Sequence, residues 1–140
     1  MAGVKQFSMN AEDRVGALAE LTRGLAHEGV NIRGIFISES EGKGTIRFVV
    51  DDPVKAERVL VEENLEHRIE PVLALEMPNA PGALHTVAKI LADNKINIEY
   101  VYTLLPRTPL AIVILEVSSI EDAAKVLKEG GIKVLGDQDL

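Results

Sequence analysis

The chain carries one unit twice. Val15-Gly16-Ala17-Leu18 is followed by Val30-Asn31-Ile32, and Pro81-Gly82-Ala83-Leu84 is followed by Ile96-Asn97-Ile98. The two Gly-Ala-Leu triplets stand 66 residues apart, and so do the two Asn-Ile pairs. In each copy 15 residues separate the glycine from the asparagine. Two matches in register over most of a repeat mark a duplication, and a duplication constrains the architecture before any other feature is read. The 140 residues therefore divide into two units, 1–71 and 72–140. A domain of that size buries only about 60% of the surface of its unfolded chain. Each unit is expected to lean on the other, and on a second chain.

Hydrophobic periodicity gives both units the same score. In the first, residues 4–9 alternate as a strand and 10–14 are a polar loop. Residues 16–28 place Leu18, Leu21 and Leu25 on one helical face, and Gly29 stops that helix. Residues 30–38 and 45–50 read as strands around a hairpin turn at 41–44. Asp51 and Asp52 cap a helix that begins at Pro53 and runs to about residue 63, and 65–70 is weakly strand-like. The second unit repeats the order: strand 72–77, loop 78–81, helix 82–93, strand 96–104, turn 105–109, an apolar strand 110–117, a helix capped by Ser118 and Ser119, and a short strand at 132–135. Lys95 stands where Gly29 stood, and a left-handed lysine is uncommon, so Asn94 is expected to take the cap. The expected core includes Leu18, Leu21, Leu25, Val59, Leu84, Val87, Leu91 and Ile114.

Each unit is thus β-α-β-β-α-β, the split βαβ or ferredoxin-like pattern. The fold class is α+β: two antiparallel four-stranded sheets, each with its helices on one face. Val101, Tyr102 and Leu104 are expected on the sheet side that the helices leave bare, and a homodimer would hide them.

Composition excludes several functions. A net charge of −7 opposes nucleic acid and anionic membrane surfaces, which recruit Lys and Arg. Aromatics make up 4% of the chain, too few for an RNA-stacking sheet. There is no cysteine, hence no disulfide framework and no thiolate metal site. His27, His67 and His85 fall at no metal-ligand spacing, so neither metal nor cofactor is expected. No apolar run reaches the ~18 residues of a membrane span, and the expected compartment is the cytoplasm. Nothing pairs a nucleophile with a base, and the chain does not read as an enzyme.

Three pairs of matched positions carry the chemistry. Gly16 and Gly82 open helices whose first amides lack internal partners. Those amides suit a carboxylate, and a glycine lets the backbone approach it closely; the plainer reading is a helix-start glycine. Asn31 and Asn97 each offer an acceptor and two donors, enough to meet both ends of a zwitterion, or to bond their own backbone in a turn. Asn79 and Asp13 hold matched loop positions. Either accepts from an ammonium or caps a helix.

The run Asn79-Ala80-Pro81-Gly82-Ala83-Leu84, then a helix, then Ile96-Asn97-Ile98 opening a strand, resembles the ACT domain. Asp13-Arg14-Val15-Gly16-Ala17-Leu18 with Val30-Asn31-Ile32 is a more diverged version, with Val15 in place of the loop proline. The resemblance spans residues 4–70 and 72–135. It implies a regulatory module that binds a free amino acid where two such units pair side by side. One site would join residues 79–84 to Asn31 and Ile32. The reciprocal site would join Asp13, Arg14, Val15, Gly16, Ala17 and Leu18 to Asn97 and Ile98. The implied partners are a free amino acid, a second copy of the chain and an enzyme that the module regulates. The alternative is a protein-protein interaction module without a ligand.

Overall fold

The computed structural model describes residues 3–11, 15–104 and 109–140. Its elements are β1 (Val4–Asn10), α1 (Ala17–His27), β2 (Ile32–Ser40), β3 (Lys43–Val50), α2 (Pro53–Glu62), β4 (Arg68–Pro78), α3 (Ala83–Asp93), β5 (Ile98–Thr103), β6 (Leu110–Val117), α4 (Ile120–Glu129) and β7 (Lys133–Val134). They form two compact units. One is Lys5–Glu70; the other is Pro71–Leu140 together with Gly3 and Val4. The boundary falls inside β4. Both units are ferredoxin-like, as the duplicated pattern predicts.

In the first unit the strand order is β2-β3-β1, then the opening residues of β4. The pairs β2–β3 and β1–β3 are antiparallel. Phe7 faces Phe48 across the ladder, and their rings stack at 5.3 Å. They centre a core that holds Leu21 and Leu25 of α1 and Ala56, Val59 and Leu60 of α2. In the second unit the order is β7-β4-β6-β5, with antiparallel pairs throughout. Its separate core packs Leu73, Leu75 and Leu115 against Val87, Leu91 and Leu127.

Each of α1–α4 ends the same way. The amides of Val30, Leu65, Ile96 and Ile132 donate to the carbonyls of Leu25, Leu60, Leu91 and Leu127, each at 2.9 Å. The residue before each donor is left-handed: Gly29, Asn64, Lys95 and Gly131. This is the Schellman closure, which returns the next apolar residue to the core. Asn94 does cap α3, its Nδ2 donating to the Ile90 carbonyl at 2.8 Å. Lys95 is nevertheless left-handed at φ 58°, because burying Ile96 requires the same reversal that Gly29 gives Val30.

Other expectations change. Leu18 and Leu84 are 40% and 46% exposed and belong to neither core, while Ala17 and Ala83 beside them in the first turn pack inward. The weak strand at 65–70 begins only at Arg68. Val101 pairs with Leu115 and so shares the helix-side face, where it is exposed. Tyr102 is opposite Ile114 on the other face, and Leu104 is buried. Tyr100 and Tyr102 stack at 6.5 Å. Most of the expected turn at 105–109 lies outside the described residues.

Candidate functional site

Each unit displays two halves of the duplicated motif. The first half is the glycine that opens α1 or α3. Gly16 has φ 91° and Gly82 has φ 88°, a conformation that costs a residue with a Cβ about 1–2 kcal/mol. A Cβ at either position would meet nothing within 4 Å. The glycines are therefore required by the backbone reversal, not by crowding within the chain, and the space beside them is open. In the second unit the approach is held by Asn79 N–H on the Pro109 carbonyl at 3.1 Å, Ala80 N–H on Pro78 at 3.0 Å and Ala83 N–H on Ala80 at 3.2 Å. The Gly82 carbonyl accepts from the Thr86 amide at 3.0 Å and from Thr86 Oγ1 at 3.1 Å.

Those bonds decide which donors remain. The Ala83 amide, expected to meet a carboxylate, is already spent on Ala80. Among the described residues the amides of Gly82, Leu84 and His85 carry no hydrogen bond. They sit at the positive end of the α3 dipole. Pro81 and Leu84 are exposed beside them, as Val15 and Leu18 are beside Gly16, and Ala17 is buried beneath. Asp13 and Arg14 lie outside the described residues.

The second half is the asparagine that opens β2 or β5. Asn31 N–H donates to Asp51 Oδ1 at 2.9 Å, and Asp51 N–H donates back to the Asn31 carbonyl at 3.1 Å. Asn97 N–H donates to Ser118 Oγ at 3.1 Å, and Ser118 N–H returns to the Asn97 carbonyl at 3.0 Å. Both asparagines are exposed, and among the described residues their carboxamides make no hydrogen bond. Backbone clamping thus fixes each asparagine and leaves its side chain unspent. The neighbours Ile32 and Ile98 pack against their own cores. Immediately beyond, the register shifts between Ile32 and Gly34, and again between Ile98 and Tyr100. The duplicated bulge re-aims the strand where the motif begins.

The clamps escaped the sequence reading because Asp51 and Ser118 look like helix caps. Asp52 alone caps α2, accepting from Lys55 N–H at 3.1 Å. The signal lay in the repeat, since each motif asparagine is followed at 20 or 21 residues by an Asp or Ser.

Within one unit the two halves do not meet. They flank α1 or α3, each 11 residues long, which at 1.5 Å per residue sets them roughly 16 Å apart.

The model of an ACT domain pair matches residues 2–140. No curated protein sequence matches the chain. Among solved structures, protein BT0572 from Bacteroides thetaiotaomicron is 33% identical with a TM-score of 0.90, covering 98% of this chain and 94% of its own. The regulatory subunit of aspartate kinase from Thermus thermophilus, in its ligand-free form, is 18% identical with a TM-score of 0.63 over 89% of this chain and 91% of its own. The aspartokinase alpha and beta subunits give 16% identity and a TM-score of 0.60 over 89% and 90%; these two likenesses speak to the fold. The match over nearly the whole length, joined to the duplicated glycine loop and asparagine, makes this chain a member of the ACT domain pair family.

Proposed function

We propose that the protein is a small cytoplasmic regulator that binds a free amino acid where ACT units pair side by side in a homodimer, and that it acts on an enzyme partner rather than by catalysis of its own. One observation carries the reading. In the second unit unspent amides at the start of α3 lie roughly 16 Å from the unspent Asn97 carboxamide beyond its end, so one unit cannot close both around a single amino acid. A second unit laid alongside brings the loop of one to the strand start of the other.

In that arrangement the carboxylate of the ligand meets the free amides of Gly82, Leu84 and His85 and the α3 dipole. The Asn31 carboxamide, on a backbone clamped to Asp51, accepts from the ammonium and donates to the carboxylate. Residues 79–84 with Asn31 and Ile32 form one site. Residues 13–18 with Asn97 and Ile98 form its counterpart. A ligand that spans two units favours the paired state over the separated one by its differential affinity, and this is how occupancy reaches a partner enzyme.

The second reading, an interaction module without a ligand, draws on matched apolar exposure. Leu18 and Ile35 in one unit, and Leu84 and Val101 in the other, are exposed at positions 66 residues apart. They suit a pairing surface with or without a ligand. A thermal-shift screen of the twenty amino acids separates the readings. A ligand at a hundredfold excess over its Kd adds about 2.7 kcal/mol of apparent stability. If none shifts the transition at millimolar concentration, the interaction module stands instead.

A further inference from the structure

The two copies differ where the last strand of each unit closes its sheet. In the second unit Leu75 pairs with Val134 and Glu76 with Lys133, and Lys133 Nζ lies 3.6 Å from Glu76 Oε1. The repeat maps these residues onto Met9, Asn10, Glu66 and His67. In the first unit Glu66 and His67 lie outside any strand. His67 Nδ1 instead donates to the Leu65 carbonyl at 2.9 Å, and its Nε2 lies 3.7 Å from Glu57 Oε2. The strand that follows, β4, begins only at Arg68 and is the neighbour of β1. A cleft of about 600 Å³ opens between the end of β1 and residues 64–68, within the 300–1,000 Å³ usual for small-molecule sites.

The lining of the cleft is specific. Met9, Leu60 and Leu65 supply apolar wall. Asn10, Asn64 and Glu66 line it as well, all three exposed. His67 lines the cleft with its side chain only 13% exposed and its Nδ1 on the Leu65 carbonyl. Arg68 borders the cleft and forms no ion pair among the described residues, although the chain carries 22 acidic side chains against 15 Lys and Arg. A guanidinium left unpaired beside an apolar wall is a receptor for a carboxylate on an aliphatic body.

The geometry points to a second ligand site in this cleft, distinct from the amino-acid site above, which takes a small aliphatic monocarboxylate. Its carboxylate pairs with Arg68, its hydrocarbon lies along Met9, Leu60 and Leu65, and any polar tail reaches Asn10 and Asn64. In the second unit the pairing of β7 with β4 occupies the matching place.

The test is a ¹H–¹⁵N correlation titration of the full chain with 4-methylpentanoate, using 4-methylpentanamide as the uncharged isostere. Saturable shifts confined to residues 8–10 and 60–68 are expected, with the amide binding roughly tenfold or more weakly. Arg68→Gln should show the same loss for the acid. Val61→Phe, at an exposed cleft-lining position, should block binding without touching the charge. Asn31→Ala should leave these shifts unchanged, which separates this site from the amino-acid site. Absence of saturable shifts in the folded wild type, equal binding of acid and amide, or shifts centred on residues 82–85 would each overturn the proposal.

Discussion

Asn31 and Asp51 hold each other by two hydrogen bonds, Asn31 N–H to Asp51 Oδ1 at 2.9 Å and Asp51 N–H to the Asn31 carbonyl at 3.1 Å. The pair ties the start of β2 to the end of β3 through the Asn31 backbone. Asp51→Ala removes the side-chain acceptor and leaves the Asn31 amide to water. The expected loss is about 1–2 kcal/mol of stability, as for a hydrogen bond to a charged group. Asp51→Asn keeps an acceptor and should lose less. Chemical denaturation measures both. Equal midpoints for wild type and Asp51→Ala would show that the clamp contributes nothing.

Lys95 is the one closing residue among α1–α4 that is neither glycine nor asparagine. Its φ of 58° carries a steric cost that glycine avoids. Lys95→Gly should raise stability by about 1 kcal/mol, because the left-handed strain removed exceeds the added freedom of the unfolded chain. The reverse change, Gly29→Lys, should destabilise by a similar amount. Thermal unfolding of both variants decides this, and a fall in stability for Lys95→Gly would refute it.

Gly82 and Asn31 are expected to fail in different ways. Gly82→Val forces a β-branched residue to φ 88°, so it costs stability whether or not a ligand approaches. Gly82→Ala costs about 1 kcal/mol and should also lower amino-acid affinity. Asn31→Ala should leave stability nearly unchanged and weaken amino-acid binding by ~1–3 kcal/mol. Calorimetry with an amino acid that shifts wild type reads the affinity. Unchanged affinity in both Gly82→Ala and Asn31→Ala would place the site elsewhere.

In the proposed dimer the edge strands carry the contact. Ile35 is opposite Phe48 and Ile37 opposite Ile46, so both face the helix side of the first unit's sheet, yet both are exposed. Val101 does the same in the second unit. A second copy of the chain covers them in the proposed dimer. Ile37→Glu combined with Val101→Glu should yield a folded monomer, because charges placed in an apolar contact are costly to bury. Sedimentation equilibrium of wild type and variant checks it. A wild type that is monomeric at tens of micromolar would remove the dimer from the model.

The order of elements, the ferredoxin-like class and the glycine and asparagine motifs were legible in the residues alone. They depend on short-range physics: strand alternation, helical spacing, the reversal that glycine permits, and the regular offset of the duplication. What the residues could not settle depended on what lies across space. Leu18 and Leu84 have the right helical spacing for a core, but they stay exposed while Ala17 and Ala83 beside them pack inward, and no pattern of three and four reports which part of a first turn the core covers. Asp51 and Ser118 look like caps from their neighbours, and only the return of β2 and β5 beside them makes them clamps. Lys95 is left-handed because Ile96 has a core to enter, and that core is assembled from distant residues. The last strand of the first unit is a further case: β4 begins only at Arg68 and is the neighbour of β1, while His67 is turned onto the Leu65 carbonyl, and where a strand begins among contacts distant in sequence is decided only once the chain has folded.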